Sequence, residues 1–140
     1  MTNKKVLIID DNSDFRAMVK EYLSMHKLGL EIYEASTGEM GVAKASFVKP
    51  DIILMDINLP HANGLEATRY IKEDNPDCDV IILTMFDVDA FKQAAQKINA
   101  RDFIGKSEIY DRLLPTIKKC LEEKGEKPWN RSPLSIKKLI

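Results

Sequence analysis

Three carboxylates, one hydroxyl and one ammonium stand at comparable points along this sequence, each just after a short, mostly apolar run. Asp10 and Asp11 follow Val6 to Ile9 (VLII), and Asp56 follows Ile52 to Met55 (IILM). Thr84 follows Val80 to Leu83 (VIIL), and Lys106 follows the weaker run from Asp102 to Gly105. Three carboxylates in one pocket repel each other and raise one another's pKa values, a penalty that a bound divalent cation removes. Ligation by carboxylate and carbonyl oxygens, completed by water, suits Mg²⁺ rather than zinc, with Mn²⁺ as an alternative. A carboxylate can also attack phosphorus and form an aspartyl-phosphate. In such a transfer the charge lies on the equatorial oxygens, and catalysis is chiefly positioning and neutralisation. The cation can hold one oxygen, the Lys106 ammonium a second and the Thr84 hydroxyl a third.

Taken singly, these residues say little. An acidic pair after a strand is often a solvated turn, a threonine at a strand end is common, and a lysine after glycine is usually on the surface. The set carries meaning only if one edge of the fold gathers all of it.

The elements between these residues supply such an edge. The apolar runs are continuous rather than alternating, as in parallel strands covered on both faces. With a weaker run around Glu31 to Ala35 they make five strands. Between them, sets of residues recur at the spacing of a buried helical stripe. The sets are Phe15, Met18, Val19, Tyr22 and Leu23; Met40, Ala43 and Phe47; Leu65, Thr68 and Ile71; Val88, Phe91, Ala95 and Ile98; and Ile109, Leu113, Ile117 and Leu121. Ser13 and Thr37 are the expected helix caps. Pro115 predicts that the last helix kinks there or starts late. Five β-α units predict an α/β fold of the flavodoxin-like (βα)5 kind, a parallel sheet in the order 2-1-3-4-5 between two helical layers. A site then belongs at the carboxyl ends of the strands, near the switch point beside strand 1.

Composition narrows the field. At 140 residues, with 44% hydrophobic and 31% charged residues, the chain suits one domain with one core. The 21 basic and 22 acidic residues leave a formal charge of −1, without the field of a protein that chiefly grips nucleic acid or an anionic membrane. The opening MTNKKVLIIDD is too briefly apolar for a signal peptide or a membrane span. Cys78 and Cys120 lack metal-type spacing and fit reduced, buried thiols, so the expected location is the cytoplasm, with no membrane partner. Residues 4–123 are the expected domain, and 124–140, with GEKPWNRSP, read as a linker or C-terminal tail.

The stretches KKVLIIDDN, PDIILMDINLPHANG, VIILTMFD and FIGK resemble the receiver domains of two-component response regulators, a resemblance that spans Lys4 to Glu123. It implies that Asp56 is the phosphoacceptor, served by a sensor histidine kinase. Asp10, Asp11 and Asp56 would bind Mg²⁺, Asp11 more directly than Asp10, joined by the backbone carbonyl of Asn58. Thr84 and Lys106 would be the switch hydroxyl and the phosphate-pairing lysine, and Phe103 the switch aromatic that turns inward as Thr84 moves. The surface of the fourth helix, fifth strand and fifth helix would then change for a partner. The resemblance implies no enzyme beyond self-phosphorylation from a phosphodonor and slow autodephosphorylation.

LTMFD and the long third loop look like the LuxR/NarL branch, whose members carry a C-terminal helix-turn-helix. Transcription is then the expected output, with DNA reached only through a C-terminal domain absent from this chain, and with a phosphorylation-dependent homodimer. The alternative is a stand-alone receiver acting by protein contact; PWNRSPLSIKKLI, which reads like a linker entering a further element, favours the former. Some residues depart from the family pattern. Ser107 replaces the common Pro after Lys106, and Asn99-Ala100 replaces Gly-Ala. Met85 and Phe86 are expected to narrow access to the phosphoryl group and, with Asn58, to tune its lifetime. His26 and His61 are expected bystanders, and Trp129 is expected to pack in the tail.

Three other readings fit less well. A haloacid-dehalogenase-type phosphatase uses the same residue types but places Asp-x-Asp after its first strand and has a cap domain. A flavodoxin-like flavin site needs phosphate donors where Asp10, Asp11 and Asp14 stand. A receiver that is never phosphorylated has no need of the five-residue set.

Overall fold

Continuous apolar runs become parallel strands here because both faces of the sheet are covered. The computed structural model describes residues 3–59, 63–85, 93 and 96–125. Its strands are β1 (Lys4–Ile9), β2 (Leu30–Ala35), β3 (Ile52–Asp56), β4 (Asp79–Thr84) and β5 (Asp102–Gly105), in the order β2-β1-β3-β4-β5. The helices with defined bounds are α1 (Ser13–Met25), α2 (Gly38–Val48), α3 (Gly64–Asp74) and α4 (Ile109–Gly125), the last preceded by a 3-10 turn at Lys106–Glu108. Of the predicted helix between β4 and β5, Gln93, Gln96 and Lys97 are helical. Val88, Phe91 and Ala95 lie outside the described residues, as do Phe86, His61 and the tail with Trp129.

Successive strand residues point to opposite faces, so the sheet carries two cores. Leu7, Ile9, Ile53, Met55, Ile82 and Phe103 pack with Ala45, Ala67 and Ile71 on one side. Val6, Ile8, Ile52, Leu54, Leu83 and Ile104 pack with Val19, Leu23, Leu113 and Ile117 on the other. The register sets the site. Ile9 is level with Met55, Asp56 with Leu83, and Thr84 with Gly105. Asp10, Asp56, Thr84 and Lys106 therefore emerge within two residues of one another along the same edge.

Several local expectations need correction. The stripe predicted to bury α2 is exposed: Met40 is 53% exposed and Phe47 91%, while Gly38, Gly41 and Ala45 face the core. Close approach decides this. A Cβ at Gly41 would lie 2.5 Å from Cδ1 of Ile9, so only a small residue lets α2 sit so near β1. Thr37 caps α2 as expected, its hydroxyl accepting from the Met40 amide at 3.1 Å. At α1 the cap is Asn12 rather than Ser13, because the Asn12 side-chain oxygen reaches the Phe15 amide at 3.0 Å. The last helix does not start late. It begins at Ile109, upstream of Pro115, and the proline lies inside it. The missing amide removes one helical bond, while Ile109, Leu113, Ile117 and Cys120 remain buried on the inner face.

Asn99 takes a left-handed conformation (φ 61°), which asparagine tolerates better than most residues. Cys78 and Cys120 are free and buried. Among the described residues, no helix is long and apolar enough to cross a membrane.

Candidate functional site

Each site residue is fixed by the strand that ends beside it. Asp10 is 1% exposed, its amide bonded to the Ala35 carbonyl at the end of β2. Its Oδ1 accepts from the Asn12 amide at 2.9 Å, and its Oδ2 meets the Lys106 Nζ at 2.7 Å. Asp56 is 5% exposed, and its Oδ1 accepts from the Asn58 amide at 3.1 Å. Asp11 is exposed. One carboxylate oxygen from each of Asp10, Asp11 and Asp56 lies within 4.8 Å of the others.

The electrostatics follow from this crowding. The Asp56 pKa is pushed up from 3.8 to about 6, first by burial and then by the neighbouring charges of Asp10 and Asp11. The Asn58 amide and the Lys106 ammonium pull the other way. Lys106 Nζ lies 3.7 Å from Asp56 Oδ2, so one ammonium faces two buried carboxylates. Three carboxylates against one ammonium leave the pocket short of positive charge. A cluster of oxygen donors with unneutralised charge fits a hard divalent cation such as Mg²⁺.

Thr84 is fully buried at the end of β4, beside Gly105 of β5. Phe103 is 6% exposed and packed within the core face that includes Ile82 and Met55. The expected switch aromatic is thus a buried residue of β5 in this structure. Met85 follows at 77% exposure, so any influence on access comes from its bulk at the rim. Asn58 is exposed, and its amide is spent on Asp56. His26 is an exposed residue at the end of α1, against the Tyr22 ring.

Residues 6–118 match the family model of the response regulator receiver domain. This chain belongs to that family. The receiver is 35% identical over 117 residues to the chemotaxis protein CheY of Thermotoga maritima, covering 83% of this chain and 96% of that protein. It is 34% identical over 114 residues to the transcriptional regulatory protein DegU of Brevibacillus brevis, covering 81% of this chain but only 48% of DegU. The chain therefore spans about half the length of one relative and nearly all of the other. Among solved structures, a LuxR-family two-component response regulator from an Aurantimonas species has a TM-score of 0.79 at 26% identity, covering 86% of each chain. Relatives of both the LuxR-type and the CheY-like kind thus resemble this receiver.

Sequence reading gave no role at the receiver's acidic cluster to three residues that stand around it. Gly64 opens α3 against the backbone of Asp56: a Cβ there would lie within 2.2 Å of the Asp56 carbonyl oxygen. The Gly64 amide donates to the Ile57 carbonyl at 3.0 Å. Arg16 donates from Nη1 to the Asp10 carbonyl at 2.5 Å and from Nε to Glu34 at 3.0 Å, tying the acidic loop to β2. Phe15 lies under the Lys106 ammonium, 4.1 Å from the ring centroid. The available signal was positional. The first turns of α1 and α3 must pack against the strand ends that carry the acids.

Proposed function

We propose that this receiver is a phosphoacceptor switch that takes a phosphoryl group onto Asp56 from a sensor histidine kinase. The observation that carries the reading is the convergence of the Asp10, Asp11 and Asp56 carboxylates with the Lys106 ammonium at one strand edge. An Asp56 carboxylate oxygen attacks phosphorus. The new O–P bond forms as the bond to the donor breaks, and the bonding pair leaves with the donor atom. Asp10, Asp11, Asp56 and the Asn58 carbonyl would hold Mg²⁺, which supplies positive charge for the phosphoryl oxygens. Lys106 would pair with a second oxygen and the Thr84 hydroxyl with a third. No activity beyond this self-phosphorylation and slow loss of the group is assigned.

The phosphoryl group adds charge and acceptor oxygens at the edge of β3. Lys106 and Thr84 are drawn toward them, which biases the β4–β5 side of the sheet and the helices packed there. The space that Thr84 vacates favours an inward ring at Phe103. Two outputs match the relatives. One is transcription, which the name of DegU carries, here through a DNA-binding domain outside this chain; the other is direct protein contact by a stand-alone receiver. The LuxR-type likeness and the linker-like tail favour transcription, with a phosphorylation-dependent homodimer. A reading frame that ends at Ile140 would favour contact.

Acetyl phosphate with Mg²⁺ tests the chemistry. Intact mass spectrometry should show one added phosphoryl group on the wild type, none on Asp56→Ala, and little labelling when the metal is chelated. Equal labelling of wild type and variant would remove Asp56 from its role.

A further inference from the structure

We propose that Phe15 is a positioning residue that holds the Lys106 ammonium in the cleft between Asp10 and Asp56. The inference rests on the phosphoacceptor reading and extends it to a residue outside the set of charged and hydroxyl groups. Three surfaces surround Lys106 Nζ. Asp10 Oδ2 lies at 2.7 Å, Asp56 Oδ2 at 3.7 Å, and the Phe15 ring centroid at 4.1 Å. The Lys106 side chain is only 11% exposed, so little water competes for its charge. In such a place the negative face of an aromatic ring attracts an ammonium more strongly than it does at an exposed site.

The ring is itself held. The Phe15 amide donates to Asn12 Oδ1, which fixes the first turn of α1, and its ring packs against the core face that includes Ile104. The chain of cause thus runs from a helix cap, through a ring, to an ammonium.

An aromatic face suits the task better than a polar side chain. A carboxylate or amide at position 15 would bind the ammonium through its N–H groups and keep it there. The ring attracts the charge without accepting a strong hydrogen bond, which leaves N–H groups for Asp10 and for an incoming phosphoryl oxygen. Lysine is a flexible four-carbon stem with a point charge, so without the ring its head has more orientations to lose at the moment of transfer. Leucine fills much of the same space but lacks the charge-attracting face, and tyrosine keeps that face.

The test combines a spectroscopic and a kinetic measurement on the full chain. In the wild type, ring current from Phe15 should shift the ε-methylene protons of Lys106 upfield, with the resonance assigned by its loss in Lys106→Arg. Phe15→Leu should return that resonance to the ordinary lysine position, and Phe15→Tyr should retain the shift. With acetyl phosphate and Mg²⁺, Phe15→Leu should label about threefold to tenfold more slowly than wild type, and Phe15→Tyr at close to the wild-type rate. In a Lys106→Met background the same Phe15→Leu change should cost almost nothing, because its effect runs through the lysine. A melting curve establishes that each variant is folded, and Phe15→Met replaces Phe15→Leu if the latter is not. An unshifted Lys106 resonance in the wild type would overturn the proposal, as would an equal slowing by Phe15→Leu with and without Lys106. Failure of the wild type to label would defeat the phosphoacceptor reading instead, and the Lys106 resonance would still decide whether the ring holds the ammonium.

Discussion

Asp56 carries a conflict between burial and charge. Its pKa rises from 3.8 to about 6, chiefly because burial strips water from the carboxylate. Between those values the folded protein binds a proton that the unfolded chain has released. Stability from this group is therefore present at low pH and is lost as pH rises through about 6. At pH 7.5, in metal-free buffer, the ionised carboxylate weakens the fold. Asp56→Asn removes the charge and keeps the shape, so it should be more stable than wild type by on the order of 2 kcal/mol at pH 7.5. At pH 4 the two proteins should be nearly equal. Urea unfolding at both pH values measures the difference, and an Asn variant with no advantage at the higher pH would show that other groups already neutralise the pocket. Asp56 is therefore a point of tension in the fold. Whatever supplies positive charge there relieves it.

At the scale of elements, two glycines let helices approach the sheet, and they differ in what they touch. A methyl group at Gly64 would strike the Asp56 carbonyl oxygen and the Ile57 backbone, which cannot rotate away. At Gly41 it would strike the Ile9 side chain, whose far end can. Gly64→Ala should thus cost about 2 kcal/mol or more in urea unfolding, and Gly41→Ala distinctly less. Gly64→Ala should also slow labelling of Asp56 by acetyl phosphate, since α3 can yield only by pushing on the loop after β3; labelling at the wild-type rate would detach the helix from the site. These contacts also show where sequence reading succeeds and fails. The strands and their order were legible because VLII, IILM and VIIL are buried on both faces, a pattern that few other arrangements need. The buried face of α2 was not. Hydropathy singled out Met40 and Phe47, but the space above Ile9 admits only small residues, and that space is a tertiary fact. Asn12 displaced Ser13 as the cap for a similar reason, since both side chains can accept and only the path of the loop from Asp10 decides between them. Pro115 left a late start open, and the helix instead begins upstream because one lost amide bond weighs less than a continuous buried stripe.

Over the whole molecule, the three acids and Lys106 come from three strand ends far apart in sequence, and only the fold brings them together. Their types and places after the strands were legible because each sits at a predictable boundary. A pocket assembled by the fold has a thermodynamic consequence. An unfolded chain scatters Asp10, Asp11 and Asp56, so a cation that needs all three binds the folded state and raises its stability by mass action. Mg²⁺ at about ten times its dissociation constant should add about 1.4 kcal/mol, which for a domain of this size is a rise of roughly 3–6 °C in melting temperature. Asp11→Asn should remove most of that rise while leaving the metal-free melting temperature little changed, because Asp11 is exposed and Asp10 keeps its partners at Asn12 and Lys106. Thermal melts with and without Mg²⁺, repeated with K⁺ at matched ionic strength, separate site binding from general screening. An equal rise in the Asp11→Asn variant would mean that the cation is not held by the three-acid cluster, and the charge needed for phosphoryl transfer would have to come from elsewhere.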